Sequence, residues 1–331
     1  VLFRSDCLML RHKRRKLTES LAAFIQCSVD QQHTCGIIVK AALTFHQDAR
    51  QKNGGVCLMG KHHNILYVAG RLCCDWELED NVLVNELFTH IFQCEKTFER
   101  LFIGAIFGTK VTQLISGWRT EYDDNLASLT ALNYFLDHAR KSKLSYEINN
   151  VKLRLIDFPM ESYDKGSPLN VAAYMEKPAV VHLLLRYGAT PSNIYQQSST
   201  NYPLVTLIKK LSFQALNTPS KQPVEYSIHS LNCLQLFLRA TLRIPSFCQE
   251  LEPGIGPATF TDSHYLSHII HPRLVKDGVV PRSRWSEPAE LKHICRCFIR
   301  MQLHSTWQLP VAINLLDIPD TLKTYLDLQT D

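Results

Sequence analysis

An all-α fold is what this sequence predicts, and three observations predict it. Apolar residues recur at helical spacing through most of the chain, alternation with period two is nearly absent, and one helix-pair pattern occurs twice, its two prolines Pro168 and Pro203 lying 35 residues apart. With 331 residues, 45% hydrophobic and 20% charged, the chain has an ordinary globular composition and can bury a sizeable core.

Positions 1–105 read as a helical region without a motif that places it. Its stripes are Leu17, Leu21, Phe24 and Ile25, then Leu83, Leu87 and Ile91, with Phe98 and Phe102 continuing the pattern. The run Arg11 to Lys16 (RHKRRK) supplies much of the net charge of +5. It reads first as a solvated helix turn, with a nuclear address or contact with an acidic partner such as nucleic acid as the minor alternative. The opening VLFRSDCLML, broken by Arg4 and Asp6, does not read as a signal peptide or anchor, and no apolar run reaches the length of a membrane helix. Eleven cysteines, odd in number and scattered, include no C-x-x-C pair. That pattern predicts thiols used as small apolar fillers in a reducing compartment, with no metal and no cofactor. The expected location is the cytoplasm, with the nucleus open to the chain through its basic run.

Positions 106–245 read as a repeat region. The stripe Leu126, Leu129, Leu132, Leu136 in LASLTALNYFLDHA is taken as a degenerate second helix, and the best alternating segment, Val151, Leu153, Leu155, is too short for a sheet of its own. The clearest repeat runs from Tyr163 to Ser192. Ser167 caps its first helix, Pro168 stands in the first turn where no N–H is needed, and Ala172 with Ala173 allow close packing. Val180, Val181, Leu184 and Leu185 form the second helix, and Gly188 sits where a left-handed cap is wanted. A second copy, 201–241, starts at Tyr202-Pro203-Leu204 and has its second helix at Leu234, Leu236, Phe237 and Leu238. That helix lies 53 residues after its counterpart, which implies an insertion of 18 residues containing a linker, Thr218 to Pro223. A connecting helical segment, 246–285, opens with the Pro and Gly cluster Pro253 to Pro257.

The last stretch, 286–331, is the most informative. Leu291, Ile294, Cys295, Phe298, Ile299 and Leu303 form one apolar stripe, while Lys292, His293, Arg296 and Arg300 take the other side. Pro288 and Glu290 are placed in the first turn. Cys295 and Cys297 project about 200° apart on such a helix and cannot share a metal or form an unstrained disulfide. Two other tempting sites carry little. Gly55 to His62 fits G-x-x-x-x-G-K but ends in His62 in place of the magnesium-binding hydroxyl, and His264, His268 and His271 share a helical face without a carboxylate base. No catalytic arrangement can be read.

Two resemblances join these segments. Ser167-Pro168-Leu169-Asn170-x-Ala172-Ala173 resembles the T-P-L-H-x-A-A signature of an ankyrin repeat, whose period is about 33 residues. Asn170 replaces the His that ties neighbouring turns, so a looser stack is expected. The tail, with Leu291, Cys295 and Ile299 followed by Leu316, Ile318-Pro319, Leu322 and Tyr325-Leu326, resembles a SOCS box. Over about the last 170 residues the chain is therefore identified as similar to the ankyrin repeat and SOCS box family. The resemblance implies an N-terminal helical region, a short ankyrin-repeat stack and a C-terminal three-helix SOCS box.

It further implies a non-catalytic ubiquitin-ligase subunit. Leu291, Cys295, Phe298 and Ile299 would bind elongin C, with elongin B behind it. Leu316, Ile318, Pro319, Leu322, Tyr325 and Leu326 would contact cullin-5, which carries a RING protein. The ankyrin surface would hold a protein substrate of unknown identity. Glu290 stands where the box usually has a small residue or proline, with little damage expected on an exposed side, and Asp317 replaces a proline beside the cullin contact. A scaffold whose SOCS-like tail only completes its own core is the alternative.

Overall fold

The computed structural model describes residues 2–116, 125–148, 150–191, 203–219, 221–244 and 269–331. Among them the chain is mostly helical, as the periodicity predicts, and it divides between Leu155 and Ile156 into two compact units.

The first unit contains α1 (Leu2–Gln26), α2 (Gln31–Lys52), α3 (Lys61–Asp75), α4 (Asn81–Glu95), α5 (Glu99–Ser116) and α6 (Asn125–Lys141). Helix starts follow local chemistry: the Asp30 carboxylate accepts from the His33 N–H at 2.9 Å, and Asp80 accepts from Val82 and Leu83 N–H at 3.0 Å. Helix α4 ends at Lys96, whose φ of +57° cannot continue a right-handed helix. Helix α3 is central and packs on α1, α2, α4 and α6. Leu66, Leu72, Leu87, Phe88, Ile91, Phe98, Phe102 and Phe135 fill the space between them. In the predicted α1 stripe Ile25 is buried, whereas Leu17 and Phe24 face solvent. Lys13, Arg15 and Lys16 of the basic run are exposed on α1, with Arg15 paired to Glu19 at 2.9 Å, as a solvated turn would be.

The repeat region differs from the sequence expectation at its start. Helix α6, read as a degenerate repeat helix within 106–245, packs against α3, α4 and α5 of the first unit through Ala131, Leu132, Phe135 and Leu136. Its apolar face matches that core, and one stripe alone cannot say which neighbour covers it. The alternating segment does become a strand, β2 (Val151–Arg154), but only because β1 (Ser145–Ile148) pairs with it in an antiparallel hairpin, Tyr146 opposite Leu153.

The second unit contains α7 (Pro168–Tyr174), α8 (Pro178–Arg186), α9 (Pro203–Asn217), α10 (Ile228–Ala240), α11 (Pro272–Lys276), α12 (Leu291–Ser305), α13 (Val311–Leu315) and α14 (Asp320–Leu326). Ser167 caps α7 by accepting from Asn170 N–H, Pro168 opens the helix, and Gly188 closes the pair at φ +85°. Within this unit α7 packs on α9 and α8 on α10, so the two helix pairs stack member to member. Glu176, between α7 and α8, receives Lys210 from α9 in an ion pair and the Ser227 hydroxyl, 3.0 Å away, from the start of α10. Part of the predicted insertion is extra helix: α9 has 15 residues where α7 has 7. The stretch read as a linker is held down, because the Arg273 guanidinium donates to the carbonyls of Ala215, Thr218, Pro219 and Gln222. The Asn170 amide is buried with neither polar atom hydrogen bonded. Tyr202, Ser192, Pro253 to Pro257, His264 and His268 lie outside the described residues.

Candidate functional site

Helix α12 is amphipathic, and its orientation in the fold is the reverse of the usual one. Leu291 is 76% exposed, Phe298 57% and Met301 55%, and Ile294 and Cys295 are exposed beside them. The buried side carries His293, Arg296 and Arg300, with Arg296 only 1% exposed. An amphipathic surface helix ordinarily does the opposite, turning its cations to water and its leucines to the core.

Buried cations need partners, and each of these has them. The Arg300 guanidinium donates to the carbonyl oxygen of Leu326, 2.8 Å away, and to that of Leu185 at the end of α8. Burial lowers its pKa to about 10, so it stays charged at neutral pH. Arg296 donates to the carbonyl of Thr330 at 3.1 Å, lies over the Tyr325 ring with its central carbon 4.1 Å from the ring centre, and donates to His293 Nδ1 at 3.0 Å. His293 must then carry its proton on Nε2, which donates to the Thr241 carbonyl at 3.0 Å. Burial and the nearby Arg284 keep that imidazole neutral by lowering its pKa.

Further ties run from the tail to the helix pairs. Arg186 of α8 pairs with Asp327 at 2.8 Å, and His182 Nε2 donates to the Asp327 carbonyl at 3.0 Å. Arg239 of α10 forms a two-pronged pair with Asp331, at 2.9 and 2.7 Å. Gly188 lies so close to α12 that a Cβ there would stand 2.5 Å from His304 Cδ2. Glu290 precedes α12 as its cap residue but makes no capping bond. Its carboxylate is taken by Arg284 at 2.6 Å and the Ser283 hydroxyl at 2.7 Å, and those bonds hold its pKa down to about 2. Pro288, placed by the sequence in the first turn, lies before the helix.

The tail has a small core of its own: Leu309, Ile313 and Leu326, with Ile299, Leu303, Leu316 and Ile318 packed against it. The sequence-predicted residues therefore separate into two kinds. Leu291, Cys295 and Phe298 are on the surface, and Ile299 is half-buried at the edge of the core. In the second group Pro319 and Leu322 are exposed, Leu316 and Ile318 are partly buried, and Tyr325 and Leu326 are inside. Tyr325 is spent on carrying Arg296 and Lys292 on its ring, and Leu326 closes the core. Sequence reasoning passed over Met301, Ile294 and Leu315 as site residues; the last is 79% exposed. Helical spacing from Leu291 would have found Ile294 and Met301, each on the turn of the exposed stripe.

The two cysteines of α12 are separated, as the helix geometry requires. Cys295 faces solvent, while Cys297 is partly buried with its sulfur 3.5 Å from His293 Nε2, and burial pushes its thiol pKa up. Of the three histidines read as sharing a face, His271 is described; it caps α11 by accepting from the Arg273 N–H.

Comparison with known proteins finds a family match in the tail. Residues 287–327 match the SOCS box family. The chain is 27% identical to "Ankyrin repeat and SOCS box protein 17" of Bos taurus over 166 residues, half of each chain. It is 26% identical to the protein of that name from Canis lupus familiaris over 164 residues, again half of each. The Homo sapiens protein of that name is 44% identical over 50 residues, 15% of this chain and 17% of that one. The chain thus spans about half the length of the curated relatives it matches. No solved structure matches it.

Proposed function

We propose that this chain is a substrate-recognition adaptor of an elongin B/C–cullin-5 RING ubiquitin ligase, recruiting a target protein through its ankyrin-like helix pairs. The observation that carries the reading is the outward apolar face of α12, in a segment similar to a SOCS box, held outward by buried arginines on the opposite face. In this reading Leu291, Cys295, Phe298 and Ile299 enter a pocket of elongin C, with Ile294 and Met301 widening the contact. Pro319 and Leu322 meet cullin-5, while Leu316, Ile318, Tyr325 and Leu326 shape the surface that presents them. The chain supplies no catalytic group. Its contribution is proximity: holding substrate lysines near an activated ubiquitin thioester raises their effective concentration.

The alternative, a scaffold whose tail only completes its own core, gains support from the same arginines, since Arg300 and Arg186 do bind the tail to the helix pairs. Removing Ser286 to Asp331 would strip both functions at once and could not separate the readings. The undeleted 331-residue chain carrying Leu291→Asp and Phe298→Asp does separate them, when co-expressed with elongin B and elongin C. An adaptor keeps its melting temperature and loses elongin C on purification. Undiminished recovery of elongin C by the doubly charged variant would sink the proposal.

A further inference from the structure

We propose that His46, Cys57, His63 and Cys94 form a structural zinc site in the first unit. Their ligand atoms all lie within 4.8 Å of one another. They come from four separate places: α2, the α2–α3 loop, the first turn of α3 and the end of α4.

The spacings are those of a tetrahedron around zinc. Ligand bonds of about 2.3 Å to sulfur and about 2.0 Å to nitrogen at tetrahedral angles place sulfur and nitrogen roughly 3.5 Å apart. Here Cys57 Sγ is 3.5 Å from His46 Nε2 and 3.5 Å from His63 Nδ1, and Cys94 Sγ is 3.4 Å from the same His46 Nε2. Ordinary hydrogen bonding accounts poorly for this, because an imidazole nitrogen has one in-plane lone pair and two thiols compete for it. A cation bound by both thiolates and both nitrogens satisfies all four. Elsewhere in the chain buried cysteines do behave as apolar filler: Cys73 and Cys233 sit wholly inside.

The outer partners are those a metal-binding histidine needs. In each imidazole, the nitrogen turned away from the cluster has its own partner. His63 Nε2 donates to Glu95 Oε1 at 2.6 Å, and that carboxylate is held by the Tyr67 hydroxyl at 2.7 Å and by Arg100 at 3.0 Å. His46 Nδ1 meets His90 Nδ1 at 3.1 Å, and the far nitrogen of His90 faces Glu86 at 4.0 Å. These contacts set the tautomers so that lone pairs converge on the cluster. His46 and His63 are fully buried and four protein ligands fill the coordination shell, so the site is structural. It would pin the loop between α2 and α3, which includes left-handed Gly54 and Gly55, to the end of α4. The proposal runs against the sequence expectation of no metal, and in it the stretch Gly55 to His62, set aside as a chance phosphate-loop match, contributes a ligand, Cys57.

The test is the metal content of the 331-residue chain, expressed with supplemental zinc and measured by inductively coupled plasma mass spectrometry. One zinc per chain is expected. Cys57→Ser with Cys94→Ser should abolish it, Cys27→Ser should retain it, and chelation should lower the melting temperature reversibly. Should the double variant fail to fold, cobalt loaded into the native chain decides: intense tetrahedral d–d bands with sulfur charge transfer support the site. Octahedral cobalt spectra, wild-type chain purifying without zinc, or zinc persisting in a folded double variant would each overturn the proposal.

Discussion

Arg300, on the helix that turns Leu291 and Phe298 to solvent, donates to the main-chain carbonyl of Leu185, the penultimate residue of α8. With the Arg186–Asp327 pair and the His182 bond to the Asp327 carbonyl, this bond joins the SOCS-like tail to the first helix pair, and it gives the buried Arg300 one of its acceptors. Removing the guanidinium takes from the Leu326 carbonyl its donor and leaves the Leu185 carbonyl with the Gly188 N–H alone, at about 1–3 kcal/mol for an unpaired buried group. Arg300→Met should therefore lower stability by about that amount in a urea melt. An unchanged midpoint would mean that water replaces the cation without loss.

Leu291 and Phe298 are, by fraction, the most exposed large apolar residues on α12. Full burial of a leucine side chain is worth about 1.5–3 kcal/mol, so Leu291→Ala should weaken elongin C binding by about ten-fold or more. Titration calorimetry on the purified chain checks this, and equal affinity for both forms would remove Leu291 from the interface.

The two halves of the tail should separate. Leu322 is exposed on α14, away from the small core that holds Leu326. Leu322→Asp is expected to lower cullin-5 recruitment while leaving elongin C bound, as read by co-purification of both partners. Loss of both together would point to a damaged fold.

Gly188 is required by conformation and by space. Its φ of +85° is unfavourable for a residue with a Cβ, and that Cβ would press on His304 and on Leu309 Cδ1, 3.3 Å away. Gly188→Ala should cost about 1–2 kcal/mol from the backbone alone, and more from the clash. In a His304→Ala background the excess should shrink, which a double-mutant cycle measures.

Acid should weaken the second unit through its neutral histidines. His293 and His182 are held below the ordinary value of 6.5, first by burial. Arg284 and Arg296 add to this at His293 against Glu290, and Arg186 and Arg300 at His182 against Asp327. Below that pH the unfolded chain takes up protons that the folded chain refuses, so stability falls as pH falls, and above it neither state changes charge at these sites. Melting temperature should decline as pH drops through 6.5, and the combination His182→Gln with His293→Gln should flatten the slope. An equally steep decline in the double variant would assign the effect to other groups.

What the sequence by itself determined is local. Ser167, Pro168 and Gly188 mark the ends of a helix pair, and the spacing Leu291, Ile294, Cys295, Phe298 defines a helix with two unlike faces. Each signal is written within a few residues, where backbone geometry and side-chain period act directly. Only the tertiary structure decided which face of α12 is covered, because periodicity distinguishes the faces without saying which one meets a neighbour. The answer depends on carbonyls at Leu185, Leu326 and Thr330, far along the chain from Arg296 and Arg300. The same holds for His46, Cys57, His63 and Cys94, whose irregular spacing spells no motif until four segments pack together. Buried charges and metal ligands are satisfied by partners remote in sequence, and that pairing comes into being only as the core closes.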